Sequence, residues 1–177
     1  MVKKFLKFLA YFFFFIFALI VFVPKESLYY LAEAQGKKFD VIVSNETLHE
    51  HTFWLGISNL ELSAKEIQSA VIEEVDIKIL LVYNSISVKN IQLSSLVDAY
   101  LPSKIDTLDI HYSIFSPLSI KAEGEGDFGE VKASFDILKR ELQVVLKPTN
   151  RMLKTHKKSL GMFTKSKTGE YLYAKTF

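Results

Sequence analysis

The residues best suited to chemistry are a few histidines and carboxylates, and their spacing matters more than their number. His49-x-His51, with Glu46 and Glu50 close by, sets two imidazoles on one face of an extended chain, as a zinc site would need. No third ligand is spaced to complete such a site, and Leu48 to His51 fall between two expected strands, where polar residues belong anyway. Asp109-x-His111 is a second same-face pair, on the polar side of a strand whose other side carries Leu108, Ile110 and Tyr112. Solvent exposure accounts for it. Glu73 and Glu74 are adjacent on an extended segment, so they point to opposite faces and cannot oppose one another across a cleft.

Other chemistries find no better footing. The serines include no G-x-S-x-G turn and no convincing histidine partner. Gly124, Gly126 and Gly129 do not form a phosphate loop, because no Lys-Ser/Thr follows and strands flank them on both sides. Asn45-Glu46-Thr47 satisfies the glycosylation sequon, a match frequent by chance. The absence of cysteine removes disulfides, thiolate metal sites and cysteine nucleophiles. No catalytic residue, metal site or cofactor is expected, and the chain reads as non-enzymatic.

The elements that must position any site begin with Phe5 to Val23, an apolar run interrupted only by Lys7. At ~1.5 Å per residue a helix of this length covers most of a ~30 Å hydrocarbon core. Residues 1–24 are therefore expected to be a transmembrane anchor, and 25–177 one domain held at the membrane surface. Lys3, Lys4 and Lys7 precede or open the run and only Lys25 follows closely, which predicts a cytoplasmic N-terminus and a C-terminal domain on the far side. A cleaved signal peptide is the rival reading. Its only small-x-small site, Ala32-Glu33-Ala34, lies well beyond the apolar run, which is itself longer than a usual signal core. Phe12 to Phe15 are bulky and read as lipid-facing.

After Pro24 a short helix is expected over SLYYLAEAQG, with Tyr29 and Tyr30 at headgroup level. From Phe39 the period becomes two. Strands are expected around Phe39–Val43, Phe53–Leu62 (with a bulge near Gly56, Ser58 and Asn59), Val75–Tyr83, Ile86–Leu93 (with a phase shift near Lys89-Asn90), Leu108–Ile114, Leu118–Ala122, Val131–Ile137 and Leu142–Leu146. Ala64 to Ala70 reads as a polar connection, Asn84-Ser85 as a tight turn, Leu96 to Leu101 as a short amphipathic helix, and Gly124 to Gly129 as a loosening of the chain. A basic helix is expected over Arg151 to Leu160, and a last strand over Tyr171 to Ala174. The fold class is mainly β: a curled antiparallel sheet of about eight strands with short capping helices. Each strand has one apolar face, so the sheet must close on itself, pair with helices, or hold something apolar.

Two sets of residues are candidates for contact. Val75, Ile77, Ile79, Leu81, Leu108, Ile110, Leu118 and Ile120 form the apolar face, either core or lipid-facing. Arg151, Lys154, Lys157 and Lys158 are candidates for headgroup or partner contacts. From Pro24 to Leu146 there are 11 Lys/Arg against 19 Asp/Glu, and from Lys147 onward 8 against one. The acidic body argues against nucleic acid, whereas the basic tail suits anionic headgroups or an acidic protein surface.

The arrangement VPKESLYYLAEAQGKKFDV after a lone span, then FWLGISNLELS, IKAEGEGDFGEVKASFDI and a basic segment ending in GEYLYAKTF, resembles the type II secretion system protein N family. More loosely it is similar to the AsmA-like membrane-anchored periplasmic β proteins. The resemblance is one of pattern and implies a bitopic inner-membrane protein with a periplasmic curled sheet. Such a protein is either an accessory part of an envelope-spanning secretion or appendage assembly, contacting other envelope proteins, or a lipid-binding module. At ~4.8 Å per strand, eight strands give a sheet only about 40 Å wide, too narrow to bridge the periplasm alone.

Overall fold

The apolar run and the proline that follows it set the first two elements. In the computed structural model, which describes residues 2–64, 67–95 and 102–177, α1 spans Val2–Phe22 and α2 spans Lys25–Lys37, with Pro24 between them. α1 is long and apolar enough to cross a membrane, and the rest of the protein buries none of it. At the elbow Lys25 is buried. Its ammonium donates to the Val23 carbonyl at 3.3 Å, and its backbone N–H donates to Glu50 Oε1 at 3.3 Å.

The remainder is an antiparallel meander. Its strands are β1 (Val41–Ser44), β2 (Thr47–Glu50), β3 (Trp54–Ala64), β4 (Ile67–Ile79), β5 (Tyr83–Leu93), β6 (Lys104–Ser113), β7 (Ser119–Gly126), β8 (Gly129–Asp136) and β9 (Glu141–Pro148). Then follow α3 (Asn150–Thr155), α4 (Lys157–Leu160), β10 (Thr164–Lys165) and β11 (Tyr171–Thr176). The described strands make one open 11-stranded sheet, ordered β1-β3-β4-β5-β6-β7-β8-β9-β11-β10, with β2 beside β1 on the outer side of β3.

A crease crosses the first half of this sheet. The inward residues change phase in four neighbouring strands: between Ile57 and Leu60, Ile72 and Val75, Val88 and Ile91, and Ile105 and Leu108. The pairings on either side, such as Ser58 with Glu74 and Leu60 with Ile72, keep the same offset in β3–β4, β4–β5 and β5–β6. Each strand therefore takes its extra residue in the same row, through Asn59, Glu73, Asn90 and Asp106. Asn59 and Asn90 adopt φ of +57° and +53°, the left-handed region that asparagine tolerates best among non-glycine residues. Asn90 Nδ2 ties the row by donating to Glu73 Oε2 at 2.7 Å. Aligned irregularities bend a sheet and interrupt its ladder at one row while keeping the register on either side.

Several expectations need correction. The sheet has eleven described strands, against about eight expected: the last strand, Tyr171–Thr176, joins the same sheet, and Thr47–Glu50 and Thr164–Lys165 also pair. Ile67 to Ala70 extend β4; they are not a polar connection. Leu96 to Leu101, expected as a helix, lie outside the described residues. The turn expected at Asn84-Ser85 lies at Leu80–Val82, with Leu81 at φ +64°. Asn84 stays in β5 and supports that turn by accepting a hydrogen bond from the Leu80 N–H at 3.1 Å. Gly124 to Gly129 tightens the chain, as a two-residue hairpin in which Gly126 faces Gly129. Gly129 has φ +116°, and a Cβ there would lie 2.0 Å from the Lys147 carbonyl oxygen, so no other residue fits. The single basic helix is two short ones, broken at His156.

Candidate apolar binding face

Period-two alternation and the registers bring the apolar residues into cross-strand rows. One row runs through Val75, Val88, Leu108, Gly124, Val131 and Leu146; the next runs through Ile77, Ile86, Ile110, Ala122, Ala133 and Val144. A third includes Ile79, Tyr112, Ile120, Phe135 and Leu142. The opposite face is polar. There Ser87 donates to Asp109, and Lys132–Glu123 and Lys147–Glu130 pair at 3.4 and 3.7 Å.

Among the described residues the apolar face is covered at its two ends. α2 packs against β1, β2 and β3, and Tyr29 joins the cluster of Leu55, Ile57, Leu60, Ile72, Val75, Val88 and Ile91. Burial, followed by the nearby Glu46 and Glu33 carboxylates, pushes the Tyr29 phenol well above its usual pKa. At the other end α3 and α4 bring Met152 and Leu160 onto Phe128 and Leu146. Ile105 packs against both clusters. Between them Ile110, Ala122, Ala133 and Val144 are only half-buried.

Two cavities open on this face. One, of about 430 Å³, lies beneath α3 and α4 and is lined by Ile105, Leu108, Phe128, Val131, Leu146, Met152, Ser159, Met162 and Phe163. The other, also about 430 Å³, lies toward the opposite end of the strands, among Ile77, Ile79, Ile86, Ile110, Tyr112 and Ile120. Leu108 lines the first and Ile110 the second; two residues apart on β6, they point the same way, so both cavities open on one face. Each falls within the usual range of small-molecule sites.

Of the apolar candidates, Val75 is buried in the core, and Ile77, Ile79, Leu108, Ile110 and Ile120 lie together on the face. Leu81 and Leu118 lie in turns beyond it and are exposed. Among the basic candidates, Arg151 pairs with Asp127 at 2.6 Å, and Lys154, Lys157 and Lys158 project into solvent. The lining from Phe128, Met152, Met162 and Phe163 escaped the sequence reading. Its one available signal was Phe128, a lone aromatic inside a glycine-rich turn.

The histidines are dispersed. His49 lies on β2, His51 stacks on Trp54 at 4.3 Å, and His111 stacks on Tyr83 at 6.1 Å. Among the described residues no three His, Asp or Glu side chains converge as a metal site would require. Comparison with known protein families, characterised proteins and solved structures finds no match to this chain.

Proposed function

We propose that the chain is a membrane-anchored lipid-binding module whose apolar sheet face holds acyl chains. The observation that carries this reading is the pair of neighbouring cavities on that face, about 430 Å³ each and lined mostly by aliphatic and aromatic side chains, one beneath α3 and α4 and one toward the other end of the strands. A closed core would leave no such space, because protein interiors pack to crystal-like density. Lys3, Lys4 and Lys7 at the N-terminal end of α1 support an inner-membrane anchor with a cytoplasmic N-terminus and a periplasmic sheet. The pattern shared with the AsmA-like proteins agrees with the same assignment.

A second reading, an accessory component of an envelope-spanning secretion or appendage assembly, draws on one specific observation. β11 pairs with β9 along Tyr171–Thr176, but β10 covers only Tyr171 and Leu172 of its outer side. The rest of that edge is open to strand addition by an envelope protein.

Extraction of the full-length protein in mild detergent, delipidating washes and mass spectrometry of what stays bound test both readings. Phospholipid should be retained by the native chain and lost from Ile110→Asp, which places a charge in the open middle of the face and should leave circular dichroism unchanged. No retained lipid in the native chain, or equal retention in the variant, would sink the lipid reading. A stoichiometric envelope protein in its place would establish the assembly reading.

A further inference from the structure

The meander places four connections at one end of the sheet: β2–β3, β4–β5, β6–β7 and β8–β9. Their tips are apolar and exposed. Phe53 and Trp54 occupy the first, Leu81 and Val82 the second, and Phe115, at 86% exposure, the third. The fourth carries Leu138, 72% exposed, followed by Lys139 and Arg140. Hairpin tips are normally built from Gly, Asn, Asp, Ser and Pro, so bulky apolar tips require a reason.

The tips form one continuous rim. The Ile114 N–H donates to the Val82 carbonyl at 3.1 Å, and the Ile137 N–H donates to the Leu118 carbonyl at 2.9 Å. Among the described residues at the opposite end, those of the hairpins and loops are largely polar or buried, including Ser94, Ser103, Asp127 and Lys167 to Glu170; Phe39, Ile67 and Met162 are exceptions.

The rim meets the anchor. The Phe53 ring lies 6.5 Å from that of Phe17, which precedes the outer end of α1 by five residues. Five helical residues rise about 7.5 Å, within the ~5–10 Å to which interfacial segments bury their apolar side. A helix that spans a bilayer with Phe22 at its outer boundary therefore carries Phe53 below that boundary.

The geometry points to insertion of this rim into the outer leaflet of the bilayer that α1 crosses, with Phe53, Leu81, Val82 and Phe115 in the acyl region. Trp54 suits the interface, and Lys139 and Arg140 suit anionic headgroups. Insertion stands the strands on the membrane and opens the apolar face directly onto lipid. The cavity among Ile77, Ile79 and Ile120 is then the entrance, and the one beneath α3 and α4 the interior. This inference rests on α1 as a membrane anchor; it does not require that lipid be retained after extraction.

The test uses the native absence of cysteine. Single substitutions Leu81→Cys, Phe115→Cys and Lys167→Cys in the full chain carry an environment-sensitive fluorophore after reconstitution into phosphatidylglycerol–phosphatidylethanolamine vesicles. A Phe13→Cys probe reports the anchor, and circular dichroism confirms folding. Blue-shifted emission and several-fold quenching by nitroxide lipids are expected at positions 81 and 115, with quenching by aqueous iodide at 167. Iodide quenching at 81 and 115 equal to that at 167 would overturn rim insertion. Shielding from both quenchers would also overturn it, in favour of a protein contact. A water-exposed probe at 13 would instead remove the anchor and the inference with it.

Discussion

Tyr29 illustrates how one polar atom taxes an otherwise apolar contact. Its ring is buried in the cluster beneath α2, and its hydroxyl lies near the Glu46 carboxylate without a well-formed hydrogen bond. An unsatisfied buried hydroxyl costs about 1–3 kcal/mol of desolvation, so Tyr29→Phe should be neutral or stabilising at pH 7. The two forms should diverge in alkali. Burial holds the folded-state pKa above the unfolded one, so the unfolded chain loses a proton first as pH rises past about 10. Native stability then falls with a slope that Tyr29→Phe lacks. Urea unfolding of both proteins at pH 7 and 10.5 measures this, and equal slopes would show that Tyr29 ionises freely in the fold.

At the scale of elements, α3 is fastened mainly at its first turn. Thr149 Oγ1 accepts from the Met152 N–H at 3.2 Å and donates to the Asp127 carbonyl at 2.6 Å, while Arg151 pairs with the Asp127 carboxylate. Thr149→Ala should cost about 1–2 kcal/mol in denaturant unfolding. It should also loosen Met152 over the apolar site beneath α3 and α4, which increased hydrogen exchange in α3 would report. An unchanged midpoint would mean that packing of Met152 and Leu160 alone seats the helices. The strand elements were legible because Val131–Ile137 and Leu142–Leu146 alternate cleanly, and the phase changes at Asn59 and Asn90 were visible one strand at a time. Their alignment into one crease was not, since register is a relation between strands that no single segment encodes. The Leu80–Val82 turn was hidden for a different reason. Turn chemistry pointed to Asn84-Ser85, whereas Leu80–Val82 are apolar and the bonds that hold their turn come from β5, where the Tyr83 carbonyl and Asn84 Oδ1 both accept from the Leu80 N–H.

The whole molecule is two buried clusters joined by a ladder with a half-exposed apolar middle. A sheet that its described residues cover at both ends but not between them has lower stability than its size suggests, because the row through Ile110 and Ala133 gains little from burial. Anything that binds this face in the folded state alone stabilises the fold by mass action, about 2.7 kcal/mol at a hundredfold excess over Kd. For a domain of this length that corresponds to a rise in Tm of roughly 5–10 °C. The full chain, stripped of lipid and held in amphipol, should therefore melt higher on addition of a long-chain fatty acid, and Ile110→Asp should not. A melting curve insensitive to saturating fatty acid in the native chain would show that the open face is not an acyl site. The uncovered strand edge of β11 would then be the feature around which function has to be argued.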